Sequence, residues 1–305
     1  MNHLAQLFFG EGRCPICGAN IQYSAFVIVS PWVRKLIRNK KRFSQLAVCE
    51  SCYGASFSLR YDDKQMKDLY ENYRNHDYNS LRNKWEKWYG IEYQKGHLTN
   101  YYIEGRKREV AEFLTHHLKG NIHSVVDIGG GNGELIPDAA PYCSSGIKKF
   151  VLDISNTDSV YQVTKISSLQ EIGKFDLGIY SHVIEHVADP RSELVKTLRH
   201  TNQIYLEVPY GVPKISFINK SIVLNVFFAI LSTNHVLWRI LFSLSVGLKS
   251  RLRILTQSEH INFFEVATME KLANLVNCDS KIELSWTDNP LGQKHQIIQA
   301  LFTKR

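Results

Sequence analysis

From about residue 106 onward, short apolar runs alternate with stretches whose apolar residues recur at helical spacing. Arg106 to Leu118 predicts a helix with Val110, Phe113, Leu114 and His117 on one side. His123-Ser-Val-Val-Asp-Ile-Gly predicts a buried strand ending in glycines. Lys149-Phe-Val-Leu-Asp-Ile predicts a second strand and Phe175-Asp-Leu-Gly-Ile-Tyr a third. Arg191 to Arg199 reads as a helix, Ile204-Tyr-Leu-Glu-Val-Pro as a strand, and Ala267 to Val276 as a helix. Lys281-Ile-Glu-Leu-Ser-Trp and Gln296 to Thr303 close the pattern as a strand pair joined through Asn289-Pro-Leu-Gly. Strand–helix alternation on this scale implies an α/β fold, a mostly parallel sheet covered on both faces. Such sheets bind ligands at the carboxyl ends of their strands, near the switch point in strand order.

Ahead of this pattern the chain is organised differently. Residues 1–60 form a small cysteine-bearing module, and residues 61–105 are rich in Tyr, Asn and charge. Their irregular aromatic spacing predicts short helices packed as a bridge. The domain of residues 106–305 is interrupted by an apolar insert, residues 212–253, containing Ile222-Val-Leu-Asn-Val-Phe-Phe-Ala-Ile-Leu and Val236-Leu-Trp-Arg-Ile-Leu-Phe. Lys214, Lys220, Arg239, Lys249, Arg251 and Arg253 flank or punctuate it. Such helices serve as a lid or a dimer surface, or lie in a membrane interface.

Composition narrows the class without choosing a function. The chain has 305 residues, 44% hydrophobic and 22% charged, enough to bury a core, which excludes disordered, collagen-like and coiled-coil classes. A net charge of +8 suits an anionic partner: a phosphate-bearing substrate, a nucleic acid or an anionic membrane surface. The start of the chain lacks a basic region followed by a long apolar run, and the longest apolar stretch, Ser221 to Ser232, is too short to span a bilayer. The expectation is a cytoplasmic protein, or one peripheral at the inner membrane face.

The candidate chemistry starts with Asp127-Ile-Gly-Gly-Gly-Asn-Gly-Glu134, between a predicted strand and a predicted helix. Gly129, Gly131 and Gly133 permit positive φ and close backbone approach to a ligand at a helix N-terminus. Their G-x-G-x-G spacing brings the third glycine one residue earlier than in a dinucleotide fingerprint. The next strand carries Asp153 at its end, where a carboxylate can accept from both hydroxyls of a ribose.

Val125-Val-Asp-Ile-Gly-Gly-Gly-Asn-Gly, Val151-Leu-Asp-Ile-Ser and Phe175-Asp-Leu-Gly-Ile-Tyr-Ser-His-Val-Ile-Glu-His-Val-Ala-Asp-Pro190 resemble class I S-adenosylmethionine-dependent methyltransferases. The resemblance covers about residues 106–305 and implies a Rossmann-like sheet. It assigns Asp127, Gly129, Gly130, Gly131 and Gly133 to the methionine part of the cofactor. Asp153 falls to the ribose and Ser167 flanks the adenine, with Ile154 and Ser181 as further cofactor-binding residues.

His182-Val-Ile-Glu185-His186 also spells the inverted zinc-protease pattern, but the run starts at a strand end and stops at Asp189-Pro190, barely one helical turn. Quinone-precursor O-methyltransferases look similar here yet carry a metal-binding Glu where this chain has His182. His182 and His186 are therefore expected at the cofactor's methionine end or in the substrate pocket, in structural or catalytic roles. Gln257-Ser-Glu259-His260-Ile-Asn262-Phe-Phe264 is similar to a stretch of bacterial sugar methyltransferases, including deoxysugar C-methyltransferases, whose histidine is the proposed base. Gln257 stands where those have an assisting tyrosine. His260 is the base candidate, since a neutral imidazole can take a hydroxyl proton; Glu259 and His260 could equally orient a loop.

Six cysteines include Cys14-Pro-Ile-Cys17 and Cys49-Glu-Ser-Cys52. Two C-x-x-C pairs predict a structural, tetrahedral zinc site of four cysteine ligands, in which turns let thiolates converge. The gap between the pairs is longer than in a minimal ribbon, and Gly54 lies one place later than usual. An N-terminal zinc module also occurs in the sugar C-methyltransferases. Between the pairs, Arg34-Lys-Leu-Ile-Arg-Asn-Lys-Lys-Arg42 could meet nucleic acid phosphates or remain a solvated face.

The expected function is methyl transfer from S-adenosylmethionine to a small or glycan-like acceptor, foremost a sugar or sugar nucleotide of surface-polysaccharide or natural-product biosynthesis. The alternatives are an RNA methyltransferase, since some pair a four-cysteine zinc module with this fold, and a non-catalytic binding protein. Against RNA, Ser181-His-Val-Ile occupies the place where many RNA enzymes carry N/D-P-P-Y.

Overall fold

The structure, a computed structural model, describes residues 11–86, 89–90, 93, 95–96, 99–137, 143–215, 217–240 and 255–305. The chain divides into two compact units, Met1–Gly90 with Gly211–Phe263 and Ile91–Tyr210 with Phe264–Arg305.

The first unit opens with strands β1 (Glu11–Arg13) and β2 (Asn20–Gln22), an antiparallel pair around the first cysteine turn. Strands β3 (Ala25–Val29), β4 (Phe43–Val48) and β5 (Ala55–Phe57) follow, with helix α1 (Pro31–Leu36) between β3 and β4. Helices α2 (Asp63–Tyr70) and α3 (His76–Trp85) come next. Each begins where the sequence supplies a cap. Asp62 and Gln65 close a reciprocal capping box on α2, and the Asn75 side chain accepts the Tyr78 N–H on α3. α1 starts with proline in its first turn, where no intrahelical donor is lost.

In the second unit, helix α4 (Asn100–His117) precedes β6 (Ile122–Ile128), β7 (Cys143–Leu152), β8 (Val163–Ile166) and β9 (Phe175–Ser181), and helix α5 (Pro190–Thr197) leads to β10 (Thr201–Pro209). The chain then returns to the first unit with α6 (Phe217–Lys220), α7 (Ile222–Leu231) and the short strands β11 (Thr256–Gln257) and β12 (Asn262–Phe263). Helix α8 (Val266–Leu275) and the long strands β13 (Cys278–Asp288) and β14 (Lys294–Lys304) complete the second unit.

The predicted strands and helices of the second unit are present, most within a few residues of their expected ends, while α4 and β7 each begin six residues earlier, at Asn100 and Cys143. Its sheet has the order β13-β14-β10-β9-β6-β7-β8. Pairs among β6 to β10 are parallel, while β14 runs antiparallel to both β10 and β13. This is a Rossmann-like α/β sheet whose order reverses between β6 and β9. β6, β9 and β10 are buried along most of their length, as expected of apolar parallel strands covered on both faces. Val110, Phe113 and Leu114 of α4 share a core with Val125, Leu177, Ile179, Tyr205 and Leu301.

Three expectations change. The glycine loop runs into turns over residues 131–136 among the described residues, not into a helix; residues 138–142 lie outside them. The described part of the insert groups with the first unit, not with the second. β11 pairs with β3 and β12 with β5, so the stretch that follows the insert adds both outer strands to the N-terminal sheet, ordered β11-β3-β4-β5-β12. The bridge likewise divides, its first two helices belonging to the N-terminal unit. Residues 241–254, with Lys249, Arg251 and Arg253, lie outside the described residues.

A buried ion network ties the first unit together across long sequence distances. Arg82 of α3 donates to Glu259 Oε1 at 2.8 Å and to Glu86 Oε2 at 3.2 Å, and Tyr78 donates to Glu259. Trp32 of α1 donates to Glu86 Oε1 at 2.9 Å, and the Arg82 guanidinium lies 4.0 Å from the centre of the Tyr89 ring. Removing the arginine would leave two buried carboxylates without their counter-charge. Arg82→Ala is therefore expected to cost about 3–5 kcal/mol of stability, seen as a lower urea midpoint by tryptophan fluorescence. An unchanged midpoint would show that the network is not structural.

Candidate functional site

The four N-terminal cysteines come together. Their sulfurs all lie within 4.8 Å of one another, with Cys14–Cys52 at 3.8 Å and Cys17–Cys49 at 3.5 Å. A tetrahedral zinc with bonds of about 2.3 Å sets its sulfurs about 3.8 Å apart, so the tetrad is compatible with zinc. Two like turns produce it. Gly18 N–H donates to the Cys14 carbonyl and Tyr53 N–H to the Cys49 carbonyl, both at 2.8 Å. The residue after each pair is left-handed, Gly18 at φ 77° and Tyr53 at φ 62°. The displaced Gly54 thus has a local cause: Tyr53 takes the left-handed place that glycine fills in the first turn, where a side chain is disfavoured. The Cys14 thiol is held down to about 5 by its hydrogen bond with Cys52, against the opposing effect of burial.

In the second unit, the candidate cofactor residues lie at or just beyond the carboxyl ends of successive strands. Asp127 is the penultimate residue of β6 and is buried. Its Oδ1 has no hydrogen-bond partner among the described residues, and burial, then the charge of Asp153, pushes its carboxyl up to about 7. The loop above it depends on the absence of side chains. A Cβ on Gly130 would overlap the Asp127 carboxylate, and one on Gly129 (φ 74°) would come 2.7 Å from Val183 Cγ2. Gly131 and Gly133 also adopt positive φ.

Asp153, just past β7, joins this loop to the neighbouring strand. It accepts the Gly131 N–H at 2.8 Å and the Ser155 N–H at 2.6 Å. Asp153, Ile154 and Ser167 line one open cleft of about 530 Å³, together with Ser155, Asn156 and Lys165. Ser167 donates to Glu171 through its hydroxyl and, at 2.9 Å, through its N–H. Ile154 leaves about half its surface to solvent, an apolar platform on the cleft wall.

Ser181 ends β9, and its hydroxyl donates to Glu207 Oε1 of β10 at 3.2 Å. Glu207 is fully buried and is the hub of a network that motif reading missed. Arg106 of α4 pairs with it, Tyr205 donates to its Oε2 at 2.9 Å, and His182 Nε2 lies 3.0 Å from its Oε1. Arg106 also donates to Thr287 Oγ1 at 2.7 Å and pairs with Glu109. Burial alone would raise the Glu207 carboxyl, but the charges of Arg106 and His182 hold it well below the usual carboxylate range. The only sequence sign of this hub is a Glu inside the apolar run Ile204-Tyr-Leu-Glu-Val.

This network changes the reading of His182 as a catalytic group. Burial opposes its charge, yet Glu185 at 3.4 Å and Glu207 raise its pKa to about 9. At neutral pH His182 is a cation and cannot serve as a base. It also sits at φ 55°, a strained conformation for a non-glycine residue that the surrounding bonds hold in place. His186 is half-buried, its Nε2 3.9 Å from Glu185 Oε1.

In the first unit, Glu259 is committed to Arg82 and Tyr78, which makes it a structural anchor for its loop and not a catalytic carboxylate. Gln257, which stands where the similar sugar methyltransferases have a tyrosine, is buried and donates to the Leu59 carbonyl at 2.8 Å. His260 follows this anchored stretch and is half-buried.

No family model matches the chain, and no curated protein matches it. Among solved structures, it is similar to the 1,6-didemethyltoxoflavin-N1-methyltransferase of Burkholderia thailandensis with bound S-adenosylhomocysteine. Identity is 10%, the match covers 86% of this chain and 96% of that one, and the TM-score is 0.46. It is also similar to the magnesium protoporphyrin IX methyltransferase of Synechocystis PCC 6803, at 16% identity, 79% and 99% coverage and a TM-score of 0.40.

The His182 network carries a pH signature. A group whose pKa rises from 6.5 to about 9 on folding adds stability that is complete below 6.5 and lost as pH climbs through 9. The wild type is expected to lose up to about 3 kcal/mol more than His182→Gln between pH 6.5 and 9.5. Parallel stability profiles from urea titrations would remove the assigned charge from His182.

Proposed function

We propose that the protein transfers a methyl group from S-adenosylmethionine to a small or glycan-like acceptor. The observation that carries this reading is the buried, orphaned Asp127 carboxylate under a side-chain-free glycine loop, at the point where the sheet order reverses. The residues present fit that cofactor. Asp127 would supply an anion for the methionine ammonium, and Gly129–Gly133 leave room for backbone approach. Asp153 would take the ribose hydroxyls and Ser167 would flank the adenine, with Ile154 beside them as an apolar wall, all three lining the same cleft. Ser181 and the charged His182 act through Glu207 as positioning residues, fixing the strand ends that would carry the cofactor.

When bound, the cofactor supplies an electrophilic sulfonium methyl, and transfer is an in-line displacement in which positioning does most of the catalysis. For a hydroxyl acceptor we assign the base to His260, with His186 as the second candidate. A sugar or sugar nucleotide is the acceptor class we favour, on the similarity of the stretch Gln257 to Phe264 to sugar methyltransferases. Zinc in the cysteine tetrad would hold the two N-terminal turns together and take no part in the reaction.

Calorimetry tests the cofactor site. The ammonium needs ionised Asp127, so affinity for S-adenosylmethionine is expected to fall by about tenfold per pH unit below pH 7. Asp127→Asn should weaken binding and flatten that profile, while His260→Ala should keep binding and lose turnover. Equal affinity at pH 5.5 and 8, in wild type and variant alike, would remove Asp127 from the site. Metal analysis of the purified protein is expected to give about one zinc per chain, with loss in Cys52→Ser; a metal-free folded wild type would contradict the tetrad's assignment.

A further inference from the structure

Helix α7 is built inside out for a surface helix in water. Its inward stripe is small or polar: Asn225 and Ala229 are buried, and so is Ser232 one turn on. Its outward stripe is large and apolar, with Val223 exposed to 73%, Phe227 to 52% and Ile230 to 59%. The helical residues 235–240 extend the same surface, where Val236 and Ile240 are each more than half exposed. An exposed apolar face of this kind marks a contact with something that is not water.

What covers it is indicated by the charge beside it. Arg34, at the start of the basic segment, donates to Ser232 Oγ at the end of α7 at 3.3 Å. The Lys35 ammonium lies 5.1 Å from the centre of the Trp85 ring, and Trp85 packs edge-on against His235 at 6.1 Å. These contacts set the segment Arg34–Arg42 next to the apolar stripe, with Lys35, Arg38, Lys40, Lys41 and Arg42 exposed, and Lys220 exposed just before α7. A protein partner or a second copy would bury apolar surface without needing this many cations. A nucleic acid would use the cations and leave Phe227 and Ile230 in water. An anionic lipid surface satisfies both, with apolar side chains entering the acyl boundary and lysine and arginine at the headgroups.

We propose that the N-terminal unit docks on anionic membrane surfaces through the outward face of α7 and residues 235–240, with the Arg34–Arg42 segment on the headgroups. No helix among the described residues is long and apolar enough to cross a membrane, so the contact is peripheral. It does not depend on the cofactor chemistry.

Sedimentation of the full chain with vesicles tests it. The protein is expected to pellet with phosphatidylcholine vesicles containing phosphatidylglycerol, and far less with phosphatidylcholine alone or in high salt. Lys40→Glu with Lys41→Glu should reduce partitioning by about tenfold or more. Val223→Ser with Phe227→Ser should reduce it comparably. Both variants should retain zinc and S-adenosylmethionine binding, which separates lost docking from lost folding. Failure of the wild type to pellet with anionic vesicles overturns the proposal. So does equal binding to neutral vesicles with no effect of the lysine changes. A self-association abolished by the Val223 and Phe227 changes, or salt-sensitive RNA binding abolished by the lysine changes, overturns it when vesicle binding is absent.

Discussion

A parallel sheet covered on both faces buries its strands along their length, so its polar chemistry collects where the strands end. In this protein that constraint places Asp127, Asp153, Ser167, Ser181 and Glu207 at or near the carboxyl ends of five strands, β6 to β10. The sheet order brings those ends together with β6 and β9 as neighbours. Everything assigned to the cofactor site follows from that shared edge, including the need for glycine where the chain turns away from β6.

Two buried carboxylates at this edge have opposite environments. Glu207 is surrounded by Arg106, His182, Ser181 and Tyr205 and stays ionised. Asp127 has an orphaned oxygen and Asp153 as a like charge nearby, so it holds its proton to about neutral pH. A satisfied buried charge stiffens the edge, and an unsatisfied one is an unmet demand for a cationic partner. The first is a satisfied part of the scaffold, and the second is the group on which the proposed cofactor site rests.

The N-terminal unit solves a different problem. Its strands are short, and its five-stranded sheet is completed by residues more than 200 positions later in the chain. Convergent cysteine turns and the Arg82 network supply the cohesion that short strands alone lack. On α7 the fully buried positions are Asn225, Ala229 and, just past its end, Ser232, and the large apolar Val223, Phe227 and Ile230 face outward.

The local features were legible in the sequence. Cysteine spacing, apolar runs of strand length, the glycine loop and the acidic strand ends each depend on residues a few positions apart, and the structure has each of them. Only tertiary structure decided the rest. Arg106 meets Glu207, and Arg82 meets Glu259, across separations no periodicity records. The insert reads as part of the catalytic domain because it interrupts that domain's pattern. The stretch that follows it joins the N-terminal sheet through two strands of only two residues each, Thr256–Gln257 and Asn262–Phe263, too short to leave an alternation. His182 looks like a base by residue type and is a cation by environment, because burial and neighbouring charge, not identity, set where a histidine titrates.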